Sequence, residues 1–125
     1  MTPLEEQFEI LRTDFPHARL ERLPDGSNVI TIPSFPLPAG WSKDATEIKF
    51  IAPVGYPFSR PDCFWTESDL RLANGVVPQN TGANPVPSQS SPHLWFSWHV
   101  SAWNPNSDNL LTYLHVIERR FEDLK

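Results

Sequence analysis

Fourteen of the 125 residues are proline, about twice the usual share of roughly 5%, and they are spread along the chain rather than gathered in a repeat. Each one removes a backbone donor and biases the residue before it away from helix. Short strands and many irregular connections are the consequence. Two segments still read as helix. Leu4, Phe8, Leu11 and Phe15 recur at helical spacing, with Glu5, Glu6 and Glu9 near the start, where the helix dipole favours negative charge. Pro3 fits a first helical position and Pro16 stops the run, so a helix is expected over about residues 3–14. At the other end Leu110, Leu114, Ile117, Phe121 and Leu124 form an apolar stripe, and Asn106-Ser107-Asp108 offers capping residues before it.

Between the helices the signals are those of strands. Asp25-Gly26 separates Arg19–Leu23 from Asn28–Ile32, the pattern of a hairpin. Glu47–Ile51 alternates after the proline-studded connection Pro33–Gly40, and Cys63-Phe64-Trp65 reads as a further short strand. Sequential strands joined by short turns favour a four-stranded antiparallel meander, and with the helices an α+β class. From Thr66 to Pro92 regular structure fades. Leu70–Gly75 could hold a turn of helix or strand, and Gln79–Pro92 is a run of Asn, Thr, Gly, Pro, Ser and Gln. A loop of that length is either functional or a mobile surface segment.

The length is that of a single domain, residues 1–125. Large side chains must supply its core: each buried aromatic ring removes roughly 150–250 Å² from water, about 4–6 kcal/mol gross at roughly 25 cal/mol per Å². A net charge of −5 without clustered Lys or Arg argues against a nucleic-acid partner. Apolar runs fall far short of the roughly 20 residues that span a membrane, and Met1–Glu6 lacks the basic start of a signal peptide. The lone cysteine, Cys63, forms no internal disulfide, which suits a reducing, cytoplasmic setting.

The densest stretch is His93–Pro105, which holds three of the five tryptophans and two of the four histidines. Read as an extended strand, it turns Leu94, Phe96, Trp98 and Val100 to one face and Trp95, Ser97 and His99 to the other. Trp95, Trp98 and Trp103 suit an aromatic ligand box or core packing, and their burial energy favours the core. The histidines and the cysteine show no zinc-ligand spacing, so no metal and no cofactor is expected.

The order of elements resembles the ubiquitin-conjugating enzyme fold: N-terminal helix, four-stranded meander, long irregular active-site segment, C-terminal helix. Tyr56-Pro57-Phe58-Ser59-Arg60-Pro61 followed by Phe64-Trp65 is similar to the segment joining that fold's third and fourth strands. Trp103-Asn104-Pro105 resembles its Trp-Ser-Pro element. Phe35–Pro38, Pro53–Pro57, Leu70–Gly75, Ser97-Trp98-His99 and Asn109–Leu114 resemble landmarks of a bacterial branch, the prokaryotic ubiquitin-conjugating enzyme-like family. The resemblance covers about residues 30–121. It departs from the eukaryotic enzymes in having neither their His-Pro-Asn segment nor a cysteine in the usual catalytic position before Trp103.

The resemblance implies an acyl transferase that takes a ubiquitin-like C terminus from an activating enzyme of the adenylating type. Such chemistry needs a nucleophile and a stabiliser for the oxyanion. Ser97, six residues before Trp103, stands close to the family's cysteine and would hold an oxyester, with His99 as the nearest base. Along an extended strand the two side chains start roughly 6.5 Å apart, so a direct hydrogen bond needs a bend. Cys63 is the alternative nucleophile, although its place beside Phe64 and Trp65 suits a core residue. Supporting candidates are His93, Asn80 or Asn84 as oxyanion donors, and Asp108, which capping explains equally well. His17 and His115 read as surface residues. The competing function is an inactive conjugating-fold module that binds the ubiquitin-like protein or the activating enzyme without a covalent bond.

Overall fold

Helix α1 spans Pro3–Asp14 and begins at a capping box, in which the Thr2 hydroxyl accepts from the Glu5 N–H and the Glu5 carboxylate accepts from the Thr2 N–H. The computed structural model describes all residues from Met1 to Lys125. Beyond Pro16 come strands β1 (Arg19–Arg22), β2 (Asn28–Pro36), β3 (Ala45–Ala52), β4 (Phe64–Glu67), β5 (Thr81–Gly82) and β6 (His93–Phe96), then helix α2 (Leu110–Glu122). The turn between β1 and β2 holds Gly26 at φ +93, a left-handed conformation that glycine adopts without a Cβ clash.

All six strands form one antiparallel sheet in the order β1-β2-β3-β4-β6-β5. The expected meander is its first four strands. Two more, drawn from the irregular region, extend it at the β4 edge. Register shifts between Ile32 and Phe35, where Pro33 cannot donate to the ladder.

Both helices cover one face. Phe8 and Leu11 of α1 and Leu110, Tyr113, Leu114, Ile117 and Phe121 of α2 bury there against Ile30, Ile32, Ile48, Phe50, Phe64 and Phe96. Phe121 is the hub, with ring centroids 5.9 Å from Phe35, 5.4 Å from Trp41, 5.6 Å from Phe64 and 5.9 Å from Phe96. Alternation sends Val29 and Trp65 to the opposite face, where Leu23 and Val86 complete a smaller cluster.

Val86 shows why the region 79–92 is more ordered than its composition suggests. It is 1% exposed, and beside it the Trp65 indole N–H donates to the Asn84 carbonyl at 2.6 Å. The segment is a strap tied over the second face.

Four local expectations are corrected. Cys63 precedes β4 instead of belonging to it, and stands at φ +63, which takes it out of the ladder. Residues Leu70–Gly75 form a turn carrying only an isolated bridge between Leu72 and Trp41. The cap of α2 is Asn109, whose side chain accepts from the Thr112 N–H at 3.1 Å, rather than any of residues 106–108. Leu124 falls beyond the helix end and is 51% exposed, because the chain leaves helical geometry at Asp123.

Candidate functional site

Strand β6 stops at Phe96, earlier than a strand through residue 100. Its partner β4 begins at Phe64, because the left-handed Cys63 turns the preceding chain out of register. Burial still alternates past the strand end. Leu94, Phe96 and Val100 are buried and Trp98 packs partly against the core, whereas Ser97 is half-buried and His99 exposed. The polar pair thus lies on a loop directly after a strand of the sheet.

Asn80 is brought to Ser97. Its φ of +62 places its carbonyl to accept the Ser97 N–H at 2.8 Å, and the next residue, Thr81, pairs with Phe96. Arg120 holds this arrangement from beneath. Its side chain is 2% exposed, donates to the Gln79 carbonyl at 2.8 Å, and lies 5.3 Å and 5.4 Å from the ring centroids of Phe96 and Trp98. It thereby contacts both neighbours of Ser97 and the residue before Asn80.

His99 turns to the connection between β3 and β4, where its Nδ1 bonds the Asp62 carboxylate. No hydrogen bond joins it to the Ser97 hydroxyl, and its Nε2 makes none within the chain. The connection is docked by three bonds: Cys63 N–H to the Trp98 carbonyl at 3.0 Å, the Tyr113 hydroxyl to the Cys63 carbonyl at 2.7 Å, and the Trp103 indole N–H to the Pro57 carbonyl at 2.7 Å. Asp62 carries no signal at sequence level, since 37 residues separate it from His99.

Cys63 lies beside this pair. One donor atom from each of Asp62, Cys63 and His99 falls within 4.8 Å of the others. These are the residues of the chain that are grouped closely enough to share a cation, although the carboxylate and the imidazole already bond each other. Cys63 is half-buried as a residue, and within this group it is the buried member between two exposed ones. Burial first, and the Asp62 carboxylate second, push its thiol above the ordinary cysteine range. Alkylation by iodoacetamide is therefore expected to rise with pH later in the folded protein than in urea, since only the thiolate reacts. Asp62→Asn is expected to bring that rise back toward lower pH; superimposable folded and urea curves would refute the shift.

The other candidates have separate partners. His93 stands four residues before Ser97, roughly 13 Å along a strand, with its ring against the Ser91 carbonyl at 3.0 Å and the Glu47 carboxylate at 3.6 Å. Asn84 gives its carbonyl to Trp65. Asp108 accepts the Asn104 N–H at 2.7 Å and closes the turn before α2. His17 and His115 are exposed. The tryptophans form no box: Trp98 covers Arg120, Trp103 meets Tyr56 at 6.0 Å between ring centroids, and Trp95 packs on the second face. No helix is long and apolar enough to cross a membrane.

Comparison with curated proteins gives no match, and neither does comparison with solved structures. A family model described as prokaryotic E2 family E matches residues 11–123. That span takes in the whole sheet, the loop bearing Ser97 and His99, and all of α2. The α+β order of two helices flanking an antiparallel sheet is the order such a fold requires. The chain is a conjugating-fold module and belongs to prokaryotic E2 family E.

Proposed function

We propose that the protein accepts the C terminus of a ubiquitin-like protein from an adenylating activating enzyme, holds it as an oxyester on Ser97, and passes it to an acceptor. The observation that carries this reading is the loop just past β6, where the half-buried Ser97 is fixed by its backbone N–H donating to the Asn80 carbonyl and is followed two residues on by an imidazole paired with a carboxylate. In the charging step the Ser97 Oγ bonds the thioester carbonyl carbon and its proton passes to His99 Nε2. The carbon–sulfur bond then breaks, and the activating enzyme's thiolate leaves with that proton. Asn80, or backbone amides beside it, supplies donors to the oxyanion.

Incubation with an activating enzyme, a ubiquitin-like protein and ATP is expected to give an adduct that survives thiol reductant and yields to hydroxylamine. Ser97→Ala is expected to abolish it. An adduct that reductant removes and Cys63→Ala abolishes would transfer the role to Cys63, whose nearness to His99 and Asp62 favours that second assignment.

The missing hydrogen bond between His99 and Ser97 favours a different reading, non-covalent binding of the same partners. Binding unchanged in a Ser97→Ala, Cys63→Ala double variant, with no adduct ever trapped in the parent, would establish it.

A further inference from the structure

We propose that Asp62 is the positioning residue for His99, fixing the imidazole with its proton on Nδ1 and its free lone pair on Nε2. This rests on the proposed acyl transfer, and it adds a residue from a different part of the chain to the site.

The geometry states the case. A carboxylate oxygen only accepts, so the ring nitrogen that meets Asp62 Oδ1 must donate, and that nitrogen is Nδ1. In the neutral ring the remaining nitrogen, Nε2, is then an acceptor, and nothing in the chain occupies it. Without a partner an exposed imidazole exchanges tautomers and swings freely about χ1 and χ2. His99 has 55% of its side chain exposed, so packing does not hold it. Asp62 is the only side chain bonded to it.

Asp62 is itself held. It sits between the buried Pro61 and the backbone of Cys63, which is bonded on one side to Trp98 and on the other to Tyr113 of α2. Trp98 is the residue immediately before His99, so the bond from the Cys63 N–H ties the backbone next to the carboxylate to the imidazole's own backbone. The pair is therefore mounted on the main-chain contact between the β3–β4 connection and the loop after β6. An oriented base of this kind serves Ser97, two residues away along the loop.

The test has one arm on the free protein and one on charging. In nitrogen-resolved imidazole spectra of the uncharged parent, His99 is expected to carry its proton on Nδ1. Asp62→Ala is expected to mix the tautomers, and Asp62→Glu to restore the bias in part. In the charging assay Asp62→Ala is expected to slow adduct formation by at least about 10-fold. The Asp62→Ala, His99→Ala pair should charge no more slowly than His99→Ala alone, because a residue acting through His99 has nothing left to position. An unchanged tautomer in Asp62→Ala, or losses that multiply in the double variant, would overturn the inference while leaving the acyl transfer standing. A His99→Ala variant that charges at the parental rate would overturn the inference and remove the imidazole from the reaction, whereas a parent that never forms an adduct would overturn the acyl transfer itself.

Discussion

Phe121→Ala is expected to lower the free energy of unfolding by about 3–5 kcal/mol, the range for deleting a fully buried aromatic ring. Domains of this size have about 5–15 kcal/mol in total, so the variant should sit near the edge of folding. The ring is 0% exposed and meets four other aromatic side chains, from β2, the β2–β3 connection, β4 and β6. Few other positions touch so many elements at once. The residue's backbone matters as well: the Phe121 carbonyl accepts the buried Trp41 indole N–H at 2.7 Å, and that bond survives the substitution. Phe121→Leu, which keeps most of the volume, is expected to lose less than half as much. Urea titration followed by tryptophan fluorescence measures both, and a loss under about 1.5 kcal/mol for alanine would show that the core closes around the missing ring.

The second large effect concerns chemistry. His99→Ala is expected to slow charging with the ubiquitin-like protein by about 10²–10⁴-fold, the usual contribution of a positioned base. Its urea midpoint should stay within experimental scatter of the parent. The side chain is more than half exposed and its one hydrogen bond is to another exposed group, and exposed pairs of this type contribute about 0–1 kcal/mol. Stability and rate therefore separate at this position. Equal charging by His99→Ala and the parent would remove the imidazole from the reaction, and a large fall in stability would show that its role is structural.

How far the sequence carries these arguments differs from residue to residue. Pro3 and the Leu4, Phe8, Leu11 spacing mark α1 to within the observed ends, because capping and helical periodicity act over four residues or fewer. Asp25-Gly26 marks the first hairpin for the same reason. Strand β5 escapes notice because two residues carry no period, and it exists only since β6 offers an edge. The strap over the second face is equally hidden. One valine, Val86, and one indole bond hold a segment whose composition otherwise reads as loop.

By itself the sequence determined the ends of α1, the meander, the antiparallel class and the separation of Ser97 and His99 from their apolar neighbours. All of these follow from periods of about two and 3.6 residues and from proline's missing donor. Tertiary structure alone decided where His99 turns, that Cys63 leaves the strand at a left-handed φ, and that Asn80 lies against Ser97. It also placed a buried Arg120 beneath the loop. Those contacts join residues 17 to 41 positions apart, and no local pattern of side chains encodes which distant carbonyl or carboxylate will face a given donor once the sheet closes.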